Sequence, residues 1–367
     1  MPFEFKVNHT HNKARVGVLK LAHGEVRTPA FMPVGTCGTV KGLTNEMIKS
    51  TDADIILGNT YHLMLRPGEE KIAQFGGLHK FMNWNKPILT DSGGFQVMSL
   101  SGIRKITEEG VMFRSHIDGA KHFLSPERSM DIQYKIGSNI TMIFDECTDF
   151  PITHKKAKQS MELSLRWAKR SQEAYISREG YGLFGIVQGS IYEDLREISA
   201  KSLVDMNFDG YAVGGLTKTQ DDMLKVVDLT VQYLPFEKPR YVMGIGKPDD
   251  IIKAVFRGAD MFDCVLPSRA ARHGLAYTRT GEIRIKNAQY LDMHTTSLDQ
   301  HCGCYTCKNH NLAYLHHLYK SHEILYATLM TLHNITFYQD LMKAIRGKII
   351  AGKFSENLTV QDVFSND

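Results

Sequence analysis

The sequence lacks the features that define a membrane or disulfide-rich protein. No apolar run reaches the roughly 18 to 20 residues that a membrane-crossing helix needs. The first residues, MPFEFKVNHTHNKAR, contain no apolar segment of the kind found in a secretory signal. Only six cysteines occur, and Cys37, Cys147 and Cys264 stand far apart. We therefore expect no membrane partner, no disulfides and a cytoplasmic location.

A strong excess of one charge is also absent, since the formal net charge is +4 over 367 residues. The basic residues are nevertheless unevenly distributed. Residues 268–286 contain five basic residues and one acidic residue. Residues 302–353 contain six basic residues and two acidic residues. Such clustering fits a surface that faces phosphate groups, but it also fits an ordinary solvated basic face.

Short runs of aliphatic and β-branched residues recur along the chain and alternate with segments of helical periodicity. The predicted strands are Pro29 to Val34, Asp54 to Leu57, Pro87 to Thr90, Ile140 to Phe144, Leu183 to Val187, Gly210 to Val213, Arg240 to Met243 and Asp260 to Asp263. The predicted helices between them include Pro126 to Gly137, His154 to Arg178, Asp194 to Val204, Asp221 to Tyr233 and Pro248 to Arg257. This order predicts an α/β fold, a (β/α)8 TIM barrel.

The segments around the barrel complete the predicted domain organisation. Residues 1–27 alternate in polarity around a His23-Gly24 turn, which predicts a β-hairpin cap. The barrel is expected over residues 28–288 and an inserted zinc-binding subdomain over residues 289–340. Residues 341–367 are expected to form a C-terminal helix and tail that pack on the barrel.

Three cysteines close together predict a metal site in the C-terminal part of the chain. Cys302, Cys304 and Cys307 have a spacing that lets their thiolates converge on one tetrahedral Zn2+. The spacing leaves the fourth ligand open between His310 and His333. A closed set of three cysteines and one histidine leaves no coordination position for substrate, so we expect one structural zinc ion per chain.

Polar residues and glycines follow most of the predicted strands, as they do at the catalytic end of barrel enzymes. Asp91, Asp145 and Asp263 lie at the ends of the third, fourth and eighth predicted strands. Two carboxylates suit substitution at a sugar carbon, one as nucleophile and one for proton transfer, and a third could hold a nucleobase. The pattern would suit a general glycosidase equally well.

Several longer motifs carry a resemblance to a known family. They are TDSGGFQVMSL (residues 90–100), MIFDEC (142–147), GIVQG (185–189), YAVGGL (211–216), MGIGKPDD (243–250), FDCVLPSRAAR (262–272), CGCYTC (302–307) and HNITFY (333–338). In order and spacing along nearly the whole chain they resemble the queuine/archaeosine tRNA-guanine transglycosylases, and specifically the bacterial enzymes. The extra C-terminal domains of the archaeal branch are not expected here.

The resemblance implies exchange of guanine at the wobble position of tRNAs with GUN anticodons for 7-aminomethyl-7-deazaguanine. Asp263 would be the nucleophile that forms a covalent tRNA intermediate, and Asp91 the general acid/base. No ATP or redox cofactor would be needed. The family partners would be the tRNAs for Asp, Asn, His and Tyr, together with a second copy of the chain.

The resemblance also assigns binding residues. The expected base-binding residues are Asp91, Ser92, Gly93, Gly94, Phe95, Asp145, Gln188, Gly215, Leu216 and Met243. In this assignment Asp145 accepts from the base N–H groups, Gln188 and the Gly215 N–H donate to O6, Phe95 and Met243 sandwich the ring, and the Leu216 carbonyl meets the aminomethyl group. The expected RNA-binding residues are Gly244, Ile245, Gly246, Lys247, Pro248, Asp249, Asp250, Ser268, Arg269, Ala270, Ala271 and Arg272. For zinc, the resemblance favours His333 over His310.

One position departs from the bacterial pattern, and three alternatives stay open. Bacterial members commonly have a glutamate four residues after the Gly-Gly-Leu run, where this chain has Gln220. Queuine itself could therefore be the incoming base. A non-catalytic tRNA-binding subunit and a hydrolytic nucleosidase are the other two alternatives, although both Asp91 and Asp263 are present in their motifs.

Overall fold

The structure, a computed structural model, describes residues 2–100, 104–215 and 219–365. Its strands are β1 (Glu4–His11), β2 (Ala14–Leu21), β3 (Gly24–Thr28), β4 (Ala30–Pro33), β5 (Ile56–Gly58), β6 (Ile88–Thr90), β7 (Arg104–Ile106), β8 (Val111–Arg114), β9 (Lys121–Leu124), β10 (Ile140–Met142), β11 (Gly182–Val187), β12 (Gly210–Val213), β13 (Arg240–Val242), β14 (Met261–Cys264), β15 (Leu275–Thr278) and β16 (Gly281–Arg284). Its α-helices are α1 (Asn45–Ser50), α2 (Thr60–Leu65), α3 (Glu69–Gln74), α4 (Leu78–Met82), α5 (Gly94–Leu100), α6 (Pro126–Ile136), α7 (His154–Ala174), α8 (Glu193–Asp205), α9 (Gln220–Val231), α10 (Pro248–Phe256), α11 (Leu266–Arg272), α12 (Tyr305–Asn309), α13 (Leu312–Lys320), α14 (Ile324–Ile350) and α15 (Val360–Phe364), and a 3-10 helix spans Ala288–Tyr290.

A parallel eight-stranded barrel forms the centre of the molecule. Its strands are hydrogen-bonded in the order β4-β14-β13-β12-β11-β10-β6-β5. A bridge between Val34 and Leu57 joins the two ends of this sheet, and Gly35 N donates to Leu57 O at 2.7 Å. The predicted (β/α)8 barrel is therefore confirmed, and all eight predicted strands are present with ends shifted by no more than two residues.

Helices α6 to α10 connect consecutive barrel strands, as the helical periodicity predicts. In helix α6, individual residues explain where the helix begins and ends. Ser125 caps its start by accepting from Arg128 N, Pro126 occupies the first turn, and Gly137 ends it with a φ of 83°. Helix α7 ends at Ala174, four residues before the predicted end.

The N-terminal segment forms three antiparallel strands, in the order β1-β2-β3. The turn between β2 and β3 lies at Ala22 and His23, one residue before the predicted position. A second two-residue turn at Asn12 and Lys13 joins β1 to β2, and Asn12 has the positive φ of 55° that such tight turns require. This segment is thus a three-stranded sheet, one strand more than the predicted hairpin.

Two further features surround the barrel. Strands β7, β8 and β9 form a small antiparallel sheet between β6 and α6, which the sequence pattern did not predict. Helix α14 is continuous over 27 residues, so it runs through the predicted boundary between residues 340 and 341. Its buried Tyr338, Leu341 and Ile345 belong to the same core as barrel residues Phe31 and Phe262. In the described part of the chain no helix has the length and apolarity required to cross a membrane.

Candidate active site

Three carboxylates lie at the same end of the barrel, of which Asp91 and Asp145 are buried and Asp263 is half-buried. Asp91 directly follows β6, Asp145 follows β10 after two residues, and Asp263 lies near the end of β14. Because the strands are parallel, their carboxyl ends share one rim. Burial raises the pKa of Asp91, and the negative charge of Asp263 adds to this rise.

Asp91 is held by donors from the end of the neighbouring strand. Asn59 Nδ2 donates to Oδ2, and Thr60 N donates to Oδ1 at 2.8 Å. Burial raises the pKa of Asp91 to about 6, while the hydrogen bonds from Asn59 and Thr60 act in the opposite direction. A carboxyl group with such a pKa can both accept and donate a proton near neutral pH.

Asp145 lies in a polar cluster beside Asp91. Gln188 Nε2 donates to its Oδ2 at 2.7 Å, and Ser92 Oγ donates to Oδ1 at 3.2 Å. Burial raises the pKa of Asp145 to about 6, and these two hydrogen bonds lower it. A Cβ at Gly94 would lie 2.7 Å from the Asp145 backbone oxygen, so only glycine fits there.

Cys147 also faces Asp145, with its Sγ 3.9 Å from Oδ2. Burial, and then the charge of Asp145, raise the pKa of this thiol well above its usual value. A protonated thiol is a poor nucleophile, so the position suits a pocket lining.

Asp263 has one oxygen that is held and one that is free. Tyr241 Oη donates to Oδ1 at 2.6 Å, and Gly244 N donates to the same oxygen at 2.9 Å. Oδ2 accepts no hydrogen bond from any residue that the structure describes. Burial raises the pKa of Asp263, and both hydrogen bonds oppose this rise. The carboxylate is therefore oriented through Oδ1.

The other expected base-binding residues that the structure describes lie on the same rim. Gly93 has a φ of 87°, and Phe95 in α5 is 55% exposed. Gly215 follows β12 with a φ of 64°, and the half-buried Met243 follows β13. Leu216 lies outside the described residues.

The expected RNA-binding residues differ in what they can offer a nucleic acid. Exposed positions are Gly244, Lys247, Asp249 and Arg269, half-buried positions are Asp250 and Arg272, and buried positions are Ile245, Gly246, Pro248, Ser268, Ala270 and Ala271. The cationic side chains that remain available to phosphates are therefore Lys247, Arg269 and Arg272. Lys247 directly precedes α10, and Arg269 and Arg272 lie in α11.

Sequence reasoning did not assign roles to Asn59, Thr60, Arg196 and Tyr241, all of which contact this site. The position of Asn59 and Thr60 shortly after a predicted strand indicated that they could lie at the catalytic end of the barrel. Tyr241 lies inside a strand, and Arg196 interrupts the buried face of α8. Their contacts depend on which strands are neighbours, which one-dimensional periodicity does not give.

A separate cluster of possible metal ligands lies near the C-terminus. Ligand atoms of Cys302, Cys304, Cys307 and His333 all lie within 4.8 Å of one another. His333 Nδ1 is 3.3 Å from Cys307 Sγ and 3.7 Å from Cys304 Sγ. His310, the other candidate from the spacing, is not part of this cluster.

The chemistry of this cluster fits a zinc ion. His333 Nε2 lies 2.8 Å from Tyr277 O, so that nitrogen carries the proton and Nδ1 faces the thiols with its lone pair. Tetrahedral zinc with Zn–S bonds of about 2.3 Å needs ligand atoms about 3.8 Å apart, close to the spacing here. The four residues can thus hold one metal ion.

Comparison with known proteins gives consistent results over nearly the whole chain. The family model described as queuine tRNA-ribosyltransferase matches residues 10–361. The chain is 59% identical over 353 residues to the queuine tRNA-ribosyltransferase of Rickettsia massiliae (strain Mtu5), which covers 96% of this chain and 98% of the relative. The protein of the same name from Rickettsia bellii (strain OSU 85-389) is 58% identical, and the alignment again covers 96% of this chain and 98% of the relative. The matched residues include all three carboxylates and the metal cluster.

Proposed function

Because the chain belongs to the queuine tRNA-ribosyltransferase family, we propose that it exchanges wobble guanine in tRNAs with GUN anticodons for 7-aminomethyl-7-deazaguanine. It is a transferase that acts on guanosine in tRNA. The proposed acceptors are the tRNAs for Asp, Asn, His and Tyr. The observation that carries the proposal is the group of three carboxylates, each held by different donors at one rim.

The proposed reaction has two substitutions at the ribose C1′. In the first, Oδ2 of Asp263 bonds to C1′ while the bond from C1′ to guanine N9 breaks, and protonated Asp91 supplies the proton that the leaving base needs. In the second, Asp91 removes the N9 proton of the incoming base, whose nitrogen bonds to C1′ and releases Asp263. One glycosidic bond replaces another, so the steps balance without a further reactant.

The proposed recognition of the base uses the groups beside Asp91. Asp145 accepts from the ring N1–H and the exocyclic amino group, and Gln188 and the Gly215 N–H donate to O6. Phe95 and Met243 sandwich the ring, and the Leu216 carbonyl accepts from the aminomethyl ammonium. Burial raises the pKa of Asp145. Hydrogen bonds that this carboxylate accepts from the base N–H groups would oppose that rise and favour its ionised form.

Queuine as the incoming base is the second candidate, and the specific observation behind it is Gln220. Its Nε2 donates to Asp250 Oδ1, and Lys253 Nζ lies 3.4 Å from its Oε1. A neutral amide engaged in this way supplies no carboxylate to support the aminomethyl ammonium. Competition between the two bases for the same tRNA would rank them.

The remaining proposals concern tRNA, assembly and domains. Lys247, Arg269 and Arg272 would contact phosphates around the flipped nucleotide.

We expect a homodimer through the surface near the metal cluster, where Tyr305 is 57% and Ile324 85% exposed. We also propose a structural zinc ion held by Cys302, Cys304, Cys307 and His333. A cytoplasmic location and a division of the chain near residues 27 and 288 complete the proposal, while the continuous helix α14 removes the expected division at residue 340.

The test is to incubate the protein with radiolabelled guanine and unmodified tRNA of the tyrosine type. A transglycosylase incorporates label into the tRNA, and unlabelled 7-aminomethyl-7-deazaguanine then displaces it. A non-catalytic binding subunit incorporates no label. A nucleosidase releases guanine and leaves an abasic site. Either of the last two results would overturn the proposal.

A further inference from the structure

Arg196 is a fully buried cation whose hydrogen bonds all go to backbone carbonyls. It lies on α8 and is 0% exposed. Nε donates to Ser190 O at 2.7 Å, and Nη1 donates to Val187 O at 3.0 Å. Nη2 donates to Gly214 O at 2.9 Å and to Gly215 O at 3.3 Å. Burial lowers the pKa of Arg196 to about 9, so placing a guanidinium here is costly and an apolar core does not require it.

The carbonyls that Arg196 binds belong to the ends of two neighbouring strands. Val187 ends β11 directly before Gln188, and Gly214 follows β12 directly before Gly215. Helix α8 makes a further contact to this region, because Ser199 Oγ accepts from Gln188 N at 3.1 Å. One helix therefore fixes the two segments that carry the proposed donors to O6 of the base.

The geometry of the peptide bond explains what this fixing does. In a planar trans peptide the C=O and the N–H point in opposite directions. Since Gly214 O points at the guanidinium, the N–H of Gly215 points away from it. That N–H donates to no residue that the structure describes.

Gly215 is also tightly fitted against Gln188. A Cβ at Gly215 would lie 2.5 Å from Gln188 Oε1, and its φ of 64° disfavours other residues. The Gln188 amide and the Gly215 peptide therefore lie side by side. A rotation of the Gly214–Gly215 peptide would disturb both donors together.

We propose that Arg196 is a positioning residue for base recognition. It holds the Gly214–Gly215 peptide in the orientation that presents the Gly215 N–H, beside Gln188, to the base carbonyl. This inference rests on the proposed function of the site. Arg196 itself touches neither base nor ribose.

The test uses Arg196→Met and a matched control, Arg240→Met. Arg240 is also a buried arginine, and its Nη2 donates to the carbonyls of Leu234 and Pro235 before β13, at the opposite end of the barrel strands. Initial rates of labelled-guanine incorporation give KM separately for guanine and for tRNA. We expect Arg196→Met to raise KM for guanine about tenfold or more, with less than about threefold change in KM for tRNA. Arg240→Met should leave KM for guanine within about threefold of wild type.

Arg196→Lys provides the second variant, since it keeps the charge but cannot span the four carbonyls. It should also raise KM for guanine. A folded Arg196 variant with the wild-type KM for guanine would overturn the inference, as would an equal rise in Arg240→Met. If the wild-type protein incorporates no guanine, the proposed function fails instead, so the two failures can be told apart.

Discussion

Tyr241 and Asp263 are joined by a hydrogen bond of 2.6 Å from the phenol to carboxylate Oδ1. With Gly244 N on the same oxygen, this contact leaves Oδ2 as the atom that bonds to ribose in the proposed mechanism. Tyr241 is 1% exposed, and burial raises its pKa well above the usual value, so the phenol remains a donor. The pair orients the proposed nucleophile without using its reactive oxygen.

Removal of this phenol should slow exchange and shift its pH dependence. Tyr241→Phe should lower kcat/KM about tenfold, the effect of losing one hydrogen bond of about 1.4 kcal/mol. The hydrogen bond from Tyr241 lowers the pKa of Asp263, so its loss raises that pKa, and the acidic limb of the rate profile should move to higher pH. Rate profiles of the two proteins test this. Tyr211→Phe, a buried tyrosine of the adjacent strand β12, is the control and should leave the limb unchanged.

Asp91→Asn should abolish exchange but stabilise the fold at neutral pH. Burial raises the pKa of Asp91 from 3.8 to about 6, so the folded protein binds this proton more tightly than the unfolded chain does. Stability from this group is thus greatest below about pH 4 and falls as pH rises to about 6. A difference of about two pKa units corresponds to about 3 kcal/mol at pH 7.

Denaturant unfolding of wild type and Asp91→Asn at pH 8 and at pH 4.5 measures this difference. The variant should have the higher free energy of unfolding at pH 8, and most of its advantage should disappear at pH 4.5. An Asp91→Asn protein that is less stable than wild type at pH 8 would show that the charged carboxylate is favoured in the fold.

The metal cluster should hold about one zinc ion per chain. Cys302→Ser should lower both zinc content and Tm, because a bound ion would link residues 302–307 to His333 on the long helix α14. Elemental analysis and thermal unfolding provide the measurements. Cys37→Ser is the control, since Cys37 is an exposed free cysteine outside the cluster. Equal zinc content in the two variants would place the metal elsewhere.

Much of the fold was predictable because barrel strands are short, apolar and regularly spaced. Each of the eight barrel strands, from Ala30–Pro33 to Met261–Cys264, coincides with a short run of mainly apolar residues in the sequence. The small sheet β7–β9 was missed, since its strands alternate buried Val111 and Phe113 with exposed Met112 over only a few residues. The third N-terminal strand was missed because Asn12 and Lys13 are a weak turn signal without glycine.

The carboxylates of the site were also predictable, while their supporting residues were not. Asp91, Asp145 and Asp263 follow predicted strands, and parallel strands place such residues on one rim. Tyr241 and Arg196 contact the site from inside a strand and a helix, and their partners lie 6 to 22 residues away in sequence. The choice of His333 over His310 likewise depends on how α14 packs, which the cysteine spacing does not determine.

The most direct test of the account is mass spectrometry of the protein incubated with tRNA in the absence of added base. The wild-type protein should form a covalent adduct whose mass is that of protein plus tRNA minus guanine, and peptide mapping should place the ribose on Asp263. Asp263→Asn should form no adduct. An adduct of normal yield in Asp263→Asn, or a ribose attached to any other residue, would contradict the account.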